Sequence, residues 1–551
     1  MEALRTRAEA TDYQETSRHA DVTSFVDRLT TLTPLAHRLS LGPSGEGQDM
    51  VAVVLSDRRA FDPERARKQK KPVVLVEANI HAGEVEGKEA ALALARDLTL
   101  GQRHREILER VCLVIIPDFN PDGNDRISPA NRRLRLEHLE GQVNPAGGVG
   151  TRYTGEGWNL NRDAMKQEAI ETRNLGRFFQ AWWPELFIDC HTTDGSIHTY
   201  DLTFDTSHGN DALFAELRTF NRRMLEKVAR NVEKRHFFTS QWYGNFPVED
   251  DPRSGWQTYP ALPRFGSHYR GLLGRLDVLL ETYSYIDFPR RCAVMRAWLL
   301  ELWRFAAKHG PDLRRITAAE EARIIARGKS PDPRPSLGIN FGTAKRDSTG
   351  ALLFDYPAYA LEGDEVEISS FDRESLKARQ YPGQKEKRYV TPHLRSFVPT
   401  VVVSTPVAYL VPPSLAERLR GHGIEHTALE AEQELEVESY RILHQEPTFS
   451  PDVAGLVPPP GEAEVPLSAK PPPKRFETVL TTRAERGART FPAGTLYVPT
   501  AQRTGTLAVY LLEPSSDDGL ARWQFLDPLV SGELFPIHRV VQAPALRPRA
   551  E

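Results

Sequence analysis

Two histidines and two glutamates stand at the ends of apolar runs in this 551-residue sequence, and these are the residue types that bind a metal ion or move a proton. His81-Ala82-Gly83-Glu84 follows the run Val73-Val74-Leu75-Val76. His191 follows Leu186-Phe187-Ile188-Asp189, and Glu281 follows Asp277-Val278-Leu279-Leu280. With 16 His and 75 acidic residues, random placement gives about two His-x-x-acid pairs, so spacing alone says little. His422-Gly423-Ile424-Glu425 has the same spacing but follows a polar, helix-like stretch, and a solvated turn is expected there. His81 differs in context. Residues at the carboxyl end of a buried parallel strand face the crevice where α/β proteins bind ligands.

Neutral imidazole and carboxylate are ordinary zinc ligands, and two His with one Glu leave a fourth position open for water. Strand alternation puts Asp189 and His191 on one side and Cys190 on the other, which removes Cys190 as a ligand. Asp189 is expected at most to orient His191. A carboxylate such as Glu281 at the end of an apolar strand must be paired, hydrated or functional, and burial would lift it toward use as a general base. The competing reading pairs it with Arg290 or Arg291. Each histidine alone is equally well read as a hydrogen-bonded strand-end residue. Two basic clusters, Asn131-Arg132-Arg133-Leu134-Arg135 and Asn159-Leu160-Asn161-Arg162-Asp163, suit oxyanion stabilisation or a carboxylate clamp. In isolation each would be a solvated face.

The elements that must position these residues alternate between strand and helix. Besides the three runs above, Val111–Ile116 reads as a buried strand ended by Pro117 and the turn Asn120-Pro121-Asp122-Gly123. Helical patterns cover about Glu84–Leu98, Gln167–Trp182, Asp211–Arg235 and Arg290–Lys308. This alternation predicts an α/β fold with a mixed, largely parallel sheet covered by helices on both faces. Residues 310–335 turn to charge and proline and read as a linker between a catalytic domain (1–309) and an accessory domain (336–551). The latter is expected to be mainly β, with strands at Ala351–Tyr359, Thr400–Val407 and Thr506–Leu512 and an exposed proline-rich loop at Gly455–Arg475.

Composition excludes several function classes. A formal charge of -4 gives no global pull toward nucleic acid, and no apolar run reaches the roughly 18 residues of a membrane span. The charged N-terminus lacks the apolar stretch of a signal peptide, and Cys112, Cys190 and Cys292 form no disulfide framework. Both point to a reducing compartment, although an exported chain with its signal removed would look the same.

Taken in order, His81-x-x-Glu84, Asn120-Pro121-Asp122-Gly123, Asn131-Arg132-x-x-Arg135, Asn161-Arg162, His191 and Glu281 resemble the zinc metallocarboxypeptidases of the carboxypeptidase A-like family, over about residues 20–308. Carboxypeptidase A is itself a standard instance of a His₂Glu catalytic zinc site, so that ligand set comes with the family. The resemblance implies one Zn²⁺ on His81, Glu84 and His191, Arg135 at the scissile carbonyl, and Asn161 with Arg162 on the terminal carboxylate of a peptide or protein substrate. Glu281 would activate water and protonate the leaving amine, and Tyr259 matches the family's capping tyrosine. Gly83 departs from the basic residue common at that place in digestive members. A related zinc amidase or deacylase, or an inactive binding module, would share part of this pattern. The segment Trp256–Leu280 carries Arg264, His268, Arg270 and Arg275 against one acid, Asp277, so basic terminal residues are not expected to be preferred and acidic ones would be tolerated. Solvent-facing arginines around an apolar pocket are the other reading.

Overall fold

A computed structural model describes residues 4–101, 103–341, 345–346, 352–353, 365–377, 387–395, 397–448, 477–526 and 528–542. Its strands β1 (Ala36–Pro43), β2 (Asp49–Leu55), β3 (Val73–Ala78), β4 (Cys112–Ile116), β5 (Leu186–Thr193), β6 (Leu202–Asp205), β7 (Ser240–Trp242) and β9 (Leu276–Tyr283) form one sheet. The order is β1-β2-β4-β3-β5-β9-β6-β7, and the short β8 (Trp256–Gln257) lies outside it. The centre, β4-β3-β5-β9, is parallel, and the edges are antiparallel where β2 meets β4 and β6 meets β9. The expected α/β class is observed.

Period-two alternation divides the central strands into two faces with different fates. Val74, Val76, Ala78, Ile188, Cys190, Val278 and Leu280 belong to one buried cluster with helices α1 (His19–Leu32), α2 (Glu86–Thr99), α4 (Ala215–His236) and α5 (Phe288–Lys329). On the opposite face Val73, Leu75 and Phe187 pack with helix α3 (Ile170–Trp182). That face changes character toward the carboxyl ends, where Glu77, Asp189, His191 and Glu281 follow in the same alternation.

The boundary expected at 310–335 is not a linker along most of its length. Helix α5 continues through Lys329 with a kink at His309 (φ −112°, ψ 20°), just before Pro311. A proline that follows a break in the hydrogen-bond ladder costs little, and Leu313, Ile316 and Ile324 bury the new segment. Charge and proline therefore mark a kinked helix here rather than exposed chain.

The C-terminal residues add strands at Ala408–Val411, Leu496–Pro499 and His538–Val540 and a long hairpin of Gln433–Thr448 with Glu477–Phe491. Val401–Val403 is a strand as expected, but Gly505–Leu512 is a helix buried along its whole length. A short apolar run buried on every side carries no periodicity that separates helix from strand. Most of Ala351–Tyr359 and all of Gly455–Arg475 lie outside the described residues. Tyr409, Leu507 and Tyr510 share one buried cluster with Val114 and Phe187 of the central sheet, so the C-terminal region completes the layer over that face. Arg264 ties the two regions together, bonding Asp518 (3.1 Å) and Glu477 (2.8 Å).

Candidate metal centre

At the end of β3 the chain leaves the sheet through Asn79, whose φ is +67°, and delivers His81 into a tight turn closed by Glu84 N–H donating to His81 O at 2.9 Å. A side chain at Gly83 has no room, because its Cβ would lie 2.5 Å from Arg132 Cδ and 2.9 Å from Gly150 O. Arg132 fills that place and puts its own charge 3.0 Å from Glu84 Oε1. His81 Nδ1 lies 3.1 Å from Glu84 Oε1, and His191 Nδ1 lies 3.0 Å from Glu84 Oε2. One ligand atom from each of the three residues falls within 4.8 Å of the others, and all three residues are buried.

The charges around this cluster call for a cation. Burial works against the Glu84 carboxylate, yet His81, Arg132 and the hydrogen bonds from both imidazoles hold it well below the ordinary carboxyl range. Burial, with Arg152 close by, pushes the His81 imidazole down to about 3, which leaves it neutral and able to donate a lone pair. His191 shifts the other way. Burial would lower it, but Asp189 and Glu281 outweigh that and raise it well above its usual value. A proton on His191 answers the surrounding carboxylates, and a divalent ion on the Nδ1 side would take over that duty. The donor set of two imidazoles and a carboxylate fits zinc.

Asp189 lies beside His191, on the side that strand alternation gives it. Its Oδ1 is 2.9 Å from His191 Nε2, and its Oδ2 accepts from Arg270 Nη2 at 3.1 Å. Arg270 also bonds Asp277 at 2.5 Å and lies 3.8 Å from Glu77. Arg264, Arg270 and Arg275 are thus buried and ion-paired, Arg275 with Glu321, rather than solvent-facing. Glu281 stands directly opposite His191 in the β5–β9 register. Burial raises its carboxyl to about 8; His191 opposes that shift, and Glu84 and Asp189 reinforce it. The salt bridges that would have occupied it go elsewhere, Arg290 to Asp201 and Arg291 to Glu86.

The remaining sequence candidates separate. Asn161 Oδ1 accepts Gly266 N–H at 3.2 Å, and the Arg162 guanidinium lies 4.3 Å over the Phe265 ring. Tyr259 stacks on His268 with 4.7 Å between centroids, and its hydroxyl meets Ser267 Oγ at 2.7 Å. Arg135 pairs with Glu140. Among the described residues the arginines that contact Glu84 are Arg132 and Arg152, the latter at 3.5 Å. Arg132 was visible inside a basic cluster without a role. Arg152 sits in a glycine-rich loop, and nothing in the local pattern distinguished it. His422 is not in a solvated turn but buried, with Tyr269 OH 2.9 Å and Gln167 Nε2 3.1 Å from its Nδ1.

Residues 22–258 match the zinc carboxypeptidase family. The chain is 23% identical over 493 residues to a protein named carboxypeptidase 2 from Trichophyton tonsurans, covering 85% of this chain and 76% of that one. The corresponding protein from Trichophyton rubrum is 22% identical over 496 residues with the same coverage. Among solved structures, a metallo-carboxypeptidase from Pseudomonas aeruginosa aligns at 16% identity and a TM-score of 0.38, over 54% of this chain and 70% of that one.

Proposed function

We propose, with residues 22–258 belonging to the zinc carboxypeptidase family, that the chain is a zinc-dependent metallocarboxypeptidase that hydrolyses C-terminal peptide bonds. The carrying observation is the convergence of His81, Glu84 and His191 with Glu281 set opposite His191 on the neighbouring strand. Zinc held by those three side chains would supply a Lewis acid for the water and the scissile carbonyl. Glu281 takes a proton from the attacking water and returns it to the leaving amine, a task supported by its place opposite His191 on the neighbouring strand. Asn161 and Arg162 receive the terminal carboxylate. Arg135 is assigned to the oxyanion by the resemblance and pairs with Glu140, whereas Arg132 and Arg152 stand beside Glu84.

The pairing of charges around the terminal side chain supports release of neutral residues. Asp277 is neutralised by Arg270, and Asp205 is held by His208 (2.9 Å), Thr258 (2.5 Å) and Arg395 (3.3 Å), so neither carboxylate is left for a Lys or Arg side chain. The arginines that suggested tolerance of acidic residues are themselves bound to Asp518, Glu477, Asp277 and Glu321. The C-terminal region packs beside Thr258, because its strand Lys387–Leu394 runs parallel to β8 and Leu394 O accepts from Thr258 N–H at 3.1 Å. A structural, access-limiting role for that region follows.

Metal analysis of the purified protein and a paired assay test the reading. Stoichiometric zinc and release of the last residue from a free peptide, but not from its C-terminally amidated form, are expected. Equal turnover of both peptides would favour a zinc amidase or deacylase.

A further inference from the structure

The turn that carries His81 begins at a residue outside the candidate ligand set. Asn79 is fully buried two residues before His81, in the left-handed backbone region that asparagine tolerates better than most other residues. Its side chain is anchored rather than loose. Asn79 Nδ2 donates to Asp118 Oδ1 at 2.7 Å and to Asn124 Oδ1 at 3.0 Å. Asp118 in turn places Oδ2 3.0 Å from His19 Nδ1, at the start of α1, and His19 Nε2 lies 2.9 Å from Asp49 O on β2. Asn124 is held by Lys88 of α2, which also donates to Ser17 O at 2.5 Å. The backbone flanking this turn is fixed as well, with Phe119 N–H donating to Ala78 O at 3.1 Å. Two side chains, Asp118 and Asn124, thus hold the Asn79 amide, and they are held in turn by His19 of α1 and Lys88 of α2.

We propose that Asn79 is a positioning residue for His81, its backbone turn locked by the chain Asn79–Asp118–His19, so that the metal-binding geometry is set from α1 and the loop after β4 as well as from the ligands. The inference rests on the reading of His81, Glu84 and His191 as metal ligands. Loss of such supporting groups costs roughly 10- to 100-fold in metal affinity or turnover.

Zinc and cobalt affinities of the full-length chain, measured by competition with a chromophoric chelator, and the visible spectrum of the cobalt form test it, alongside kcat and KM on a blocked dipeptide. Asn79→Ala loses both the anchor and the tolerance of positive φ; it is expected to weaken metal binding by about 10- to 100-fold, alter the cobalt spectrum and lower kcat while KM changes less than about twofold. Asn79→Gly keeps the backbone freedom and should lose less. Asp118→Asn leaves residue 79 untouched and should shift the cobalt spectrum in the same direction as Asn79→Ala. Near-ultraviolet dichroism checks folding, and if Asn79→Ala fails to fold the other two variants decide. Wild-type affinity and an unchanged cobalt spectrum in folded Asn79→Gly and Asp118→Asn would overturn the proposal. A wild-type chain that binds metal but releases no C-terminal residue would instead overturn the proposed activity, with the affinity ratios still deciding the role of Asn79.

Discussion

The two His-x-x-Glu stretches of this chain share a spacing and differ in everything that gives the spacing meaning. His81 and Glu84 leave a fully buried parallel strand through a left-handed turn, and both side chains point at a third candidate ligand on the adjacent strand. His422 caps the short helix Ala416–Gly421, and burial, together with Arg418, pushes its imidazole down to about 3. It is a neutral hydrogen-bonding pin between the C-terminal region and Tyr269 and Gln167. Glu425 offers its backbone N–H to Gln502 Oε1 at 2.7 Å and joins no metal cluster among the described residues. The lesson is that a ligand pair is made by the strand that delivers it and by a third residue distant in sequence.

The sharpest way to break this contrast is to remove one imidazole from each stretch. His191→Ala or His81→Ala should abolish stoichiometric zinc and with it turnover, while His422→Ala keeps zinc at one per chain by metal analysis. If zinc survives in His191→Ala, the ligand assignment is wrong. Next in size, Glu281→Gln should lower kcat by about 10²- to 10⁴-fold with zinc retained, read in a peptide-release assay. Arg135→Ala, Arg132→Ala and Arg152→Ala then decide which guanidinium serves the oxyanion. That one should cost about 10²- to 10³-fold in kcat and the others much less.

Stability effects follow. Arg264→Ala would leave Asp518 buried without its cation, with Glu477 keeping Arg522, and cost about 3–5 kcal/mol in denaturant unfolding, whereas His422→Ala, which removes a partner from Tyr269 and Gln167, should cost about 1–3 kcal/mol. A further stability effect is a pH slope. Burial raises Glu281 and Glu77 to about 8 in the folded, metal-free chain, from about 4.5 in the unfolded one. Between those values the folded state holds more protons, so stability is full below about 4.5 and is lost as pH rises through 8. Glu281→Gln should flatten its share of that slope, at most about 1.4 kcal/mol per pH unit, in unfolding curves taken at pH 5 and 8. A steeper fall in the variant would contradict the assignment.

The central strands were legible because both faces of β3, β4, β5 and β9 are covered, which writes near-continuous apolar runs into the sequence. The same strands drew attention to His81, His191 and Glu281, since a charged or imidazole side chain interrupting such a run must have a partner. Less legible was anything decided by packing between distant segments. Gly505–Leu512 is a helix where a strand was expected, and Gly310–Lys329 a helix where a linker was expected, because burial against distant segments outweighs weak local preference.

From residue types and order alone came the α/β class, the candidate ligand triad, Glu281 as candidate base and the two basic clusters. Only the tertiary structure decided which arginine touches Glu84, that Arg264, Arg270 and Arg275 are spent on buried carboxylates, and that His422 joins two regions. Periodicity reports whether a side chain is buried, but which partner meets it there depends on crossovers that bring together residues hundreds apart, as Arg264 and Asp518 are.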